Sequence, residues 1–183
     1  MTRNENIINI INIIAAKKAD LRRILEIERE SFTMPWTRES LLSEINREDA
    51  FFAVAVCEES APKNTDYKSP AADMSQRDPL GCLASGALGY VILRRAGDEG
   101  ELLRIAVSND ARRRGIADSL MGAALDFAKE NALASVFLEV RESNKAAVSL
   151  YIKWGFKPIH LRKGYYSNPT EDAVIMQYSA RPS

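Results

Sequence analysis

The run Ala111-Arg112-Arg113-Arg114-Gly115-Ile116-Ala117 sets three arginines against a glycine and the start of an apolar helical pattern. A helix N-terminus carries unpaired N–H groups and a partial positive charge. Glycine at that point lets an anion approach the backbone closely. The spacing Arg112-x-x-Gly115-x-Ala117 therefore suits a pyrophosphate, with arginines as outer clamps. A solvated basic first turn is the plainer reading, but cations at a helix N-terminus oppose the macrodipole. Two further positions could do proton chemistry. Glu139 is the one carboxylate inside the strand-like run Ser135–Val140. A strand there puts residues 136, 138 and 140 on one face and 137, 139 and 141 on the other. Tyr151 follows Asn144 by two helical turns, so both project from roughly the same face. On pattern alone, Glu139 also fits an ordinary salt-bridged strand residue. Tyr151 likewise fits a packing residue in the stripe Ala147, Leu150, Tyr151, Trp154.

These residues need a frame. Ile7–Ile14 is a β-branched run that reads as a buried strand. Lys17–Ser31 carries Leu21, Ile24, Leu25 and Ile27 at helical spacing. Pro35 breaks that pattern, and Thr37 can cap a second helix over Arg38–Asn46. Phe51–Cys57 is strand-like. Gly86–Arg95 and Glu101–Val107 read as strands joined by a glycine-containing turn. A long helix is predicted over Arg113–Asn131, then a strand over Ser135–Val140. A helix over Asn144–Trp154 is stopped by Gly155. Phe156–Arg162 and Ala173–Tyr178 close the chain as strands. The expected fold is mixed α/β (α+β), with a largely antiparallel central sheet of six to seven strands flanked by about four helices. Residues 58–80 hold three prolines and few large apolar side chains. They are expected to form a flexible surface loop inserted in one domain spanning 1–183.

Composition narrows the function. The 183 residues suit one domain with a proper core. Lys+Arg and Asp+Glu balance at 25 each, so the basic excess usual in a general nucleic-acid binder is missing. The three arginines are a local device, and no nucleic-acid partner is expected. The apolar stretch at Ile7–Ile14 is too short for a membrane span, which needs roughly 20 residues, and it lacks a signal-peptide pattern. A cytoplasmic protein with no membrane partner is expected. Cys57 and Cys82 have no metal-type spacing and read as buried free thiols. One histidine, His160, excludes His-rich metal sites, and it reads as structural. No metal is expected.

The segment RRRGIADSLM after LLRIAV resembles the acyl-CoA-binding motif of the GCN5-related N-acetyltransferase (GNAT) superfamily, whose pattern is Gln/Arg-x-x-Gly-x-Gly/Ala. The segment FLEVRESNKAAVSLYIKWGF is similar to the second half of that fold. Within the superfamily, MPW near residue 35, LEVRESN and GYYSNPTEDAVIM resemble the RimI-type ribosomal-protein alanine N-acetyltransferases. The resemblance runs from about residue 8 to 178 and leaves out 58–80.

It implies the GNAT fold, acetyl-CoA as acetyl donor, and a protein N-terminus as acceptor, with a small-subunit ribosomal protein as the candidate. Ile105, Ala106 and Val107 should pair with the pantetheine arm. The Val107 N–H is then the oxyanion donor for the thioester carbonyl. Arg113, Arg114, Gly115, Ile116, Ala117 and Asp118 should surround the pyrophosphate, with Arg112 beside them. Ala117 stands where members often carry glycine, within the pattern. Asn144 should hydrogen-bond the cofactor.

Acetyl transfer to an amine needs a neutral amine, a stabilised oxyanion and a proton for the leaving thiolate. The resemblance makes Glu139 the base, where partial burial would improve a carboxylate as proton acceptor near neutrality. It makes Tyr151 the acid, since a phenol can protonate a thiolate of pKa about 8.5. An α-amine has pKa about 7.7–8.0 against about 10.4 for lysine, so one mild base suits a chain end better. Met34, Pro35, Trp36, Tyr165 and Tyr166 are the expected walls of the peptide site. Adjacent tyrosines in a strand point to opposite faces, so one of the pair is expected to line it. Trp36 fits either a ring hung over the cleft or a hydrophobic anchor. A transferase for lysine or a small amine is the second reading. A non-catalytic acyl-CoA-binding regulatory module is the third. Monomer and weak dimer both stay open.

Overall fold

The computed structural model describes residues 9–59 and 86–180. The chain runs β1 (Asn9–Ala15), α1 (Leu21–Ser31), α2 (Arg38–Ile45), β2 (Ala50–Glu59), β3 (Gly89–Ala96) and β4 (Glu99–Val107). It continues α3 (Ile116–Glu130), β5 (Ser135–Arg141), α4 (Lys145–Lys153), β6 (Lys157–Ser167) and β7 (Thr170–Ser179). The seven strands form one sheet in the order β1-β2-β3-β4-β5-β7-β6. Every neighbouring pair is antiparallel except β4 and β5. The expected order of elements and the mostly antiparallel sheet are both present.

Strand alternation gives the sheet two buried faces. Leu21, Ile24, Ile27 and Leu41 of α1 and α2 pack with Phe52, Val54, Tyr90 and Ile92 on one face. Ile116, Leu120, Met121, Ala124 and Tyr151 of α3 and α4 pack with Ala53, Val91, Val136 and Leu138 on the other. Gly89 marks a close approach between β3 and β4. A Cβ there would lie 2.7 Å from the Ala106 carbonyl oxygen, so a side chain has no room.

Several boundaries differ from the sequence expectation, β6 among them, which runs on to Ser167 rather than ending at Arg162; three others are instructive. The first helix begins at Leu21 rather than Lys17. Lys17 N–H donates to the Asp20 carboxylate at 2.7 Å, and residues 18–20 form a 3-10 turn before the helix. The third helix begins at Ile116, not Arg113. Gly115 is its N-cap at φ +79°, and Arg113 before it also has a left-handed φ of +64°. The arginines therefore immediately precede the helix and stand beside its positive end, where an anion between them would offset the repulsion. The third difference is at 58–80: Glu58 and Glu59 belong to β2, and residues 60–80 lie outside the described residues, as does Cys82. Cys57 is half-buried in β2. No described helix is long and apolar enough to cross a membrane.

Candidate active site

The parallel ladder between β4 and β5 holds only from Glu99↔Ser135 to Glu101↔Phe137, while both strands continue. Beyond it the sheet is open. Ser108 N–H donates to the Leu88 carbonyl at 2.9 Å. Antiparallel alternation then turns the N–H groups of Ile105 and Val107 away from β3, into the opening. Ala106 is buried on the α1–α2 face, and Ile105 and Val107 pack toward α3.

The phosphate-type cradle lies at the end of β4. Arg112, Arg113, Arg114 and Gly115 are all exposed. Nothing lies within 4 Å of where a Gly115 Cβ would sit. Gly115, as N-cap, offers no side-chain capping bond to the first N–H groups of α3. Open backbone donors beside three cations fit a pyrophosphate. Arg112 is also tied to the strand end, with Nε donating to the Val107 carbonyl at 3.2 Å. Ile116 is buried and Ala117 half-buried. Asp118, expected beside the pyrophosphate, has its carboxylate engaged by α4. Its Oδ1 accepts from Lys153 Nζ at 2.5 Å and from Trp154 Nε1 at 3.0 Å, joining α3 to α4. These bonds, Lys153 first, hold its carboxyl below the ordinary aspartate range.

Asn144 is the N-cap of α4, its side-chain oxygen accepting from Ala147 N–H at 3.1 Å. Its oxygen is therefore committed, and a ligand bond falls to the donor end of the amide. Tyr151, two turns on, is buried and packs against Phe156 at 5.8 Å. Burial first, then the nearby Tyr166, pushes its phenol well above the ordinary tyrosine range, so it stays protonated near neutrality.

Glu139 sits on the other side. Leu138 and Val140 pack toward α3 and α4, so Glu139 and Arg141 face the side of α1 and α2. The Glu139 side chain keeps about 30% of its exposure, and its Oε1 accepts from Arg162 Nη1 at 2.9 Å. It is thus salt-bridged as well as placed at the opening. Tyr165 hydrogen-bonds it too, and that bond first raises the Tyr165 phenol. Tyr166 is half-buried, and burial followed by the Glu139 charge raises its phenol as well.

The two tyrosines depart from simple alternation. Their rings meet edge to face at 5.1 Å. The β6–β7 register shifts between Arg162 and Tyr166, with Gly164 at φ +62°. Asp172 Oδ1 accepts from the Gly164 N–H at 2.8 Å and pins this irregularity. Both rings are therefore brought to one site, where one was expected.

The segment between α1 and α2 supplies the opposite wall. Met34 is 60% exposed, and Pro35 is exposed beside it. Trp36 is an anchor rather than a hanging ring: it packs on the α1–α2 core. The Trp36 backbone N–H donates to Glu28 Oε2 at 2.8 Å. Buried Glu28 also accepts from the Tyr90 hydroxyl and pairs with Arg104 Nε at 3.8 Å. Arg104 stacks on Phe32 at 4.1 Å and on Trp36 at 5.0 Å, and donates to the Met34 carbonyl at 3.3 Å. Glu28, Arg104, Arg141 and Arg162 were not legible as site residues in the sequence. The one signal was for Arg141, which ends the strand holding Glu139 and shares its face.

The arrangement has two sides. A carboxylate and two phenols face the α1–α2 side of the opening, with a buried phenol and an anion cradle behind it. That is suited to passing a group through the opening from an anionic carrier to an amine.

Comparison with known proteins agrees. The model of the acetyltransferase (GNAT) family matches residues 21–156. The putative [ribosomal protein bS18]-alanine N-acetyltransferase of Bacillus subtilis is 31% identical over 157 residues, covering 86% of this chain and 87% of that protein. The [ribosomal protein bS18]-alanine N-acetyltransferase of Salmonella typhimurium is 30% identical over 170 residues, 92% of this chain and 95% of that protein. The crystal structure of the corresponding Escherichia coli enzyme superposes with a TM-score of 0.74 at 24% identity, covering 95% of this chain and 96% of that one. With the family model matching residues 21–156 and relatives at 30–31% identity over most of its length, the chain belongs to the acetyltransferase (GNAT) family and is an N-acetyltransferase.

Proposed function

We propose that this N-acetyltransferase moves acetyl from acetyl-CoA to the N-terminal amine of a protein, by direct attack in a ternary complex. The acceptor is proposed to be a ribosomal protein beginning with alanine, as the names of its relatives in Bacillus subtilis and Salmonella typhimurium describe. The carrying observation is that Glu139 and Tyr151 lie on opposite sides of the opening between β4 and β5. A base belongs on the side from which the amine arrives, and an acid on the side to which the thiolate leaves.

Acetyl-CoA supplies the activated thioester. The exposed N-terminus of α3 with Arg112, Arg113 and Arg114 holds the pyrophosphate, and the Val107 N–H polarises the reacting carbonyl. Glu139 takes the amine proton, directly or through water. Tyr151 gives its proton to the departing sulfur. Met34, Pro35, Tyr165 and Tyr166 bound the path of the acceptor chain. We further propose that residues 1–183 make one acetyltransferase domain working in the cytoplasm.

The test is incubation with acetyl-CoA and three peptides: one starting with alanine, the same peptide blocked at its N-terminus, and a blocked peptide carrying lysine. Mass spectrometry is expected to place acetyl on the free α-amine alone. Acetyl on the lysine side chain, or on no peptide, overturns the N-terminal reading.

A further inference from the structure

Building on the proposed acceptor path, we propose that Arg141 is a positioning residue that sets the width of the acceptor cleft by tying its two walls together. Its two terminal nitrogens carry four N–H donors, and all four are used. Nη1 donates to the Pro169 carbonyl at 3.2 Å and to Glu171 Oε2 at 3.1 Å. Nη2 donates to the Asn168 carbonyl at 3.0 Å and to Thr33 Oγ1 at 3.1 Å. Two of these bonds hold the turn between β6 and β7, and a third holds Glu171 at the start of β7. The fourth crosses to the segment between α1 and α2, from the wall of Tyr165 and Tyr166 to the wall of Met34 and Pro35.

The tie is sheltered, and its anchors are anchored. The Arg141 side chain is 19% exposed, a setting in which charge-assisted bonds are strong. Glu171 Oε1 accepts from Ser143 N–H at 2.6 Å, so the carboxylate cannot swing away with the arginine. The Arg141 guanidinium also lies over the Tyr166 ring at 4.1 Å. Tyr166 stands within electrostatic reach of Tyr151 and Glu139. Arg141 therefore fixes both the distance between the walls and the ring next to the proton-transfer groups. It needs no contact with the reacting atoms to do so. A misplacement of about 1 Å at such a point can cost roughly 100-fold in rate.

Lysine cannot replace this function, because an ammonium is a point donor and cannot fork to both walls. Thr33→Val removes only the crossing bond and leaves the three hairpin bonds in place. Thr33 is exposed, so the fold should tolerate the change.

The experiment compares wild type, T33V and R141K in two ways. The first is kcat and KM for acetyl-CoA and for whichever amine acceptor the wild type uses. The second is amide exchange of the free protein over 32–37 and 164–171. In T33V the acceptor KM is expected to rise about five- to tenfold, with the acetyl-CoA KM and melting temperature unchanged. Exchange is expected to quicken in both segments together. R141K is expected to show the same pattern, larger. A T33V protein matching wild type in acceptor KM and in exchange overturns the tie. Failure of the N-terminal reading shows separately, as a wild-type enzyme that leaves α-amines untouched.

Discussion

Glu139 and Arg162 meet across an intervening strand. Arg162 Nη1 donates to Glu139 Oε1 at 2.9 Å, although β7 lies between β5 and β6. The register explains it. Glu139 is opposite Ile175 on β7, and Ile175 is opposite His160 on β6. Arg162, two residues beyond His160, returns to the same face and is long enough to reach back. The proposed base is therefore steered by a strand that is not its neighbour.

Glu139→Gln is expected to lower kcat by about 100-fold or more, the usual scale for losing a general base. Arg162→Ala should cost far less, because a partly exposed pair is worth about 0–1 kcal/mol. Steady-state rates of the two variants decide this. Full activity in Glu139→Gln would move the base elsewhere.

Tyr151→Phe should cut kcat by a similar factor while leaving both KM values near wild type. It should also change the response to alkali. Burial raises the Tyr151 phenol above its unfolded value, so the fold favours the neutral form. That stability is complete below about pH 10 and is lost as pH rises beyond it. Urea midpoints on either side of about pH 10 should fall in wild type, and fall less in the variant.

Gly115→Ala should weaken acetyl-CoA binding without a packing clash, since the space beside Gly115 is open. The left-handed backbone at φ +79° adds a strain of about 1–2 kcal/mol. Gly97 is the control: it has φ +65° and equally open surroundings, but lies in the β3–β4 turn. Gly97→Ala should lower stability comparably and leave the acetyl-CoA KM unchanged. Equal KM effects in both would argue against the cradle.

Glu28→Ala should destabilise the protein by about 3–5 kcal/mol, the scale for stranding a buried charge by removing its partner. Arg104 would lose its carboxylate, and Trp36 N–H and the Tyr90 hydroxyl would lose their acceptor. Chemical denaturation measures the loss. A change below about 1 kcal/mol would show that these groups find other partners.

Much of this molecule could be read along the chain because it rests on local physics. Thr37 caps α2 by accepting from Ser40 N–H, as its position before Arg38 suggested. Gly155 takes φ +87° after α4, as a stop glycine should. The order of strands and helices followed from hydrophobic period together with such cap, turn and stop residues. The motif at Arg112–Ala117 and the pair Asn144 and Tyr151 could be singled out as candidates because each lies within a few turns of one segment. Where helices start was less legible. Arg113 looked helical by composition, yet left-handed backbone at Arg113 and Gly115 delays α3 until Ile116.

The sequence by itself determined which residues are apolar at helical or strand spacing, and therefore the elements, their order and the two faces of the sheet. It also determined the local motif that opens α3 and the residue types available for proton transfer. Only the tertiary structure decided which distant side chains meet. Arg141 and Thr33 are 108 positions apart, and Arg162 and Glu139 are 23 apart. The irregularity at Gly164 that turns Tyr165 and Tyr166 to one site depends on Asp172 from the next strand. Such contacts are fixed by sheet register and by the point where β4 and β5 part, and both arise from packing of the whole chain. Periodicity records how a segment faces its core, but it carries no information on which other segment will cross that face.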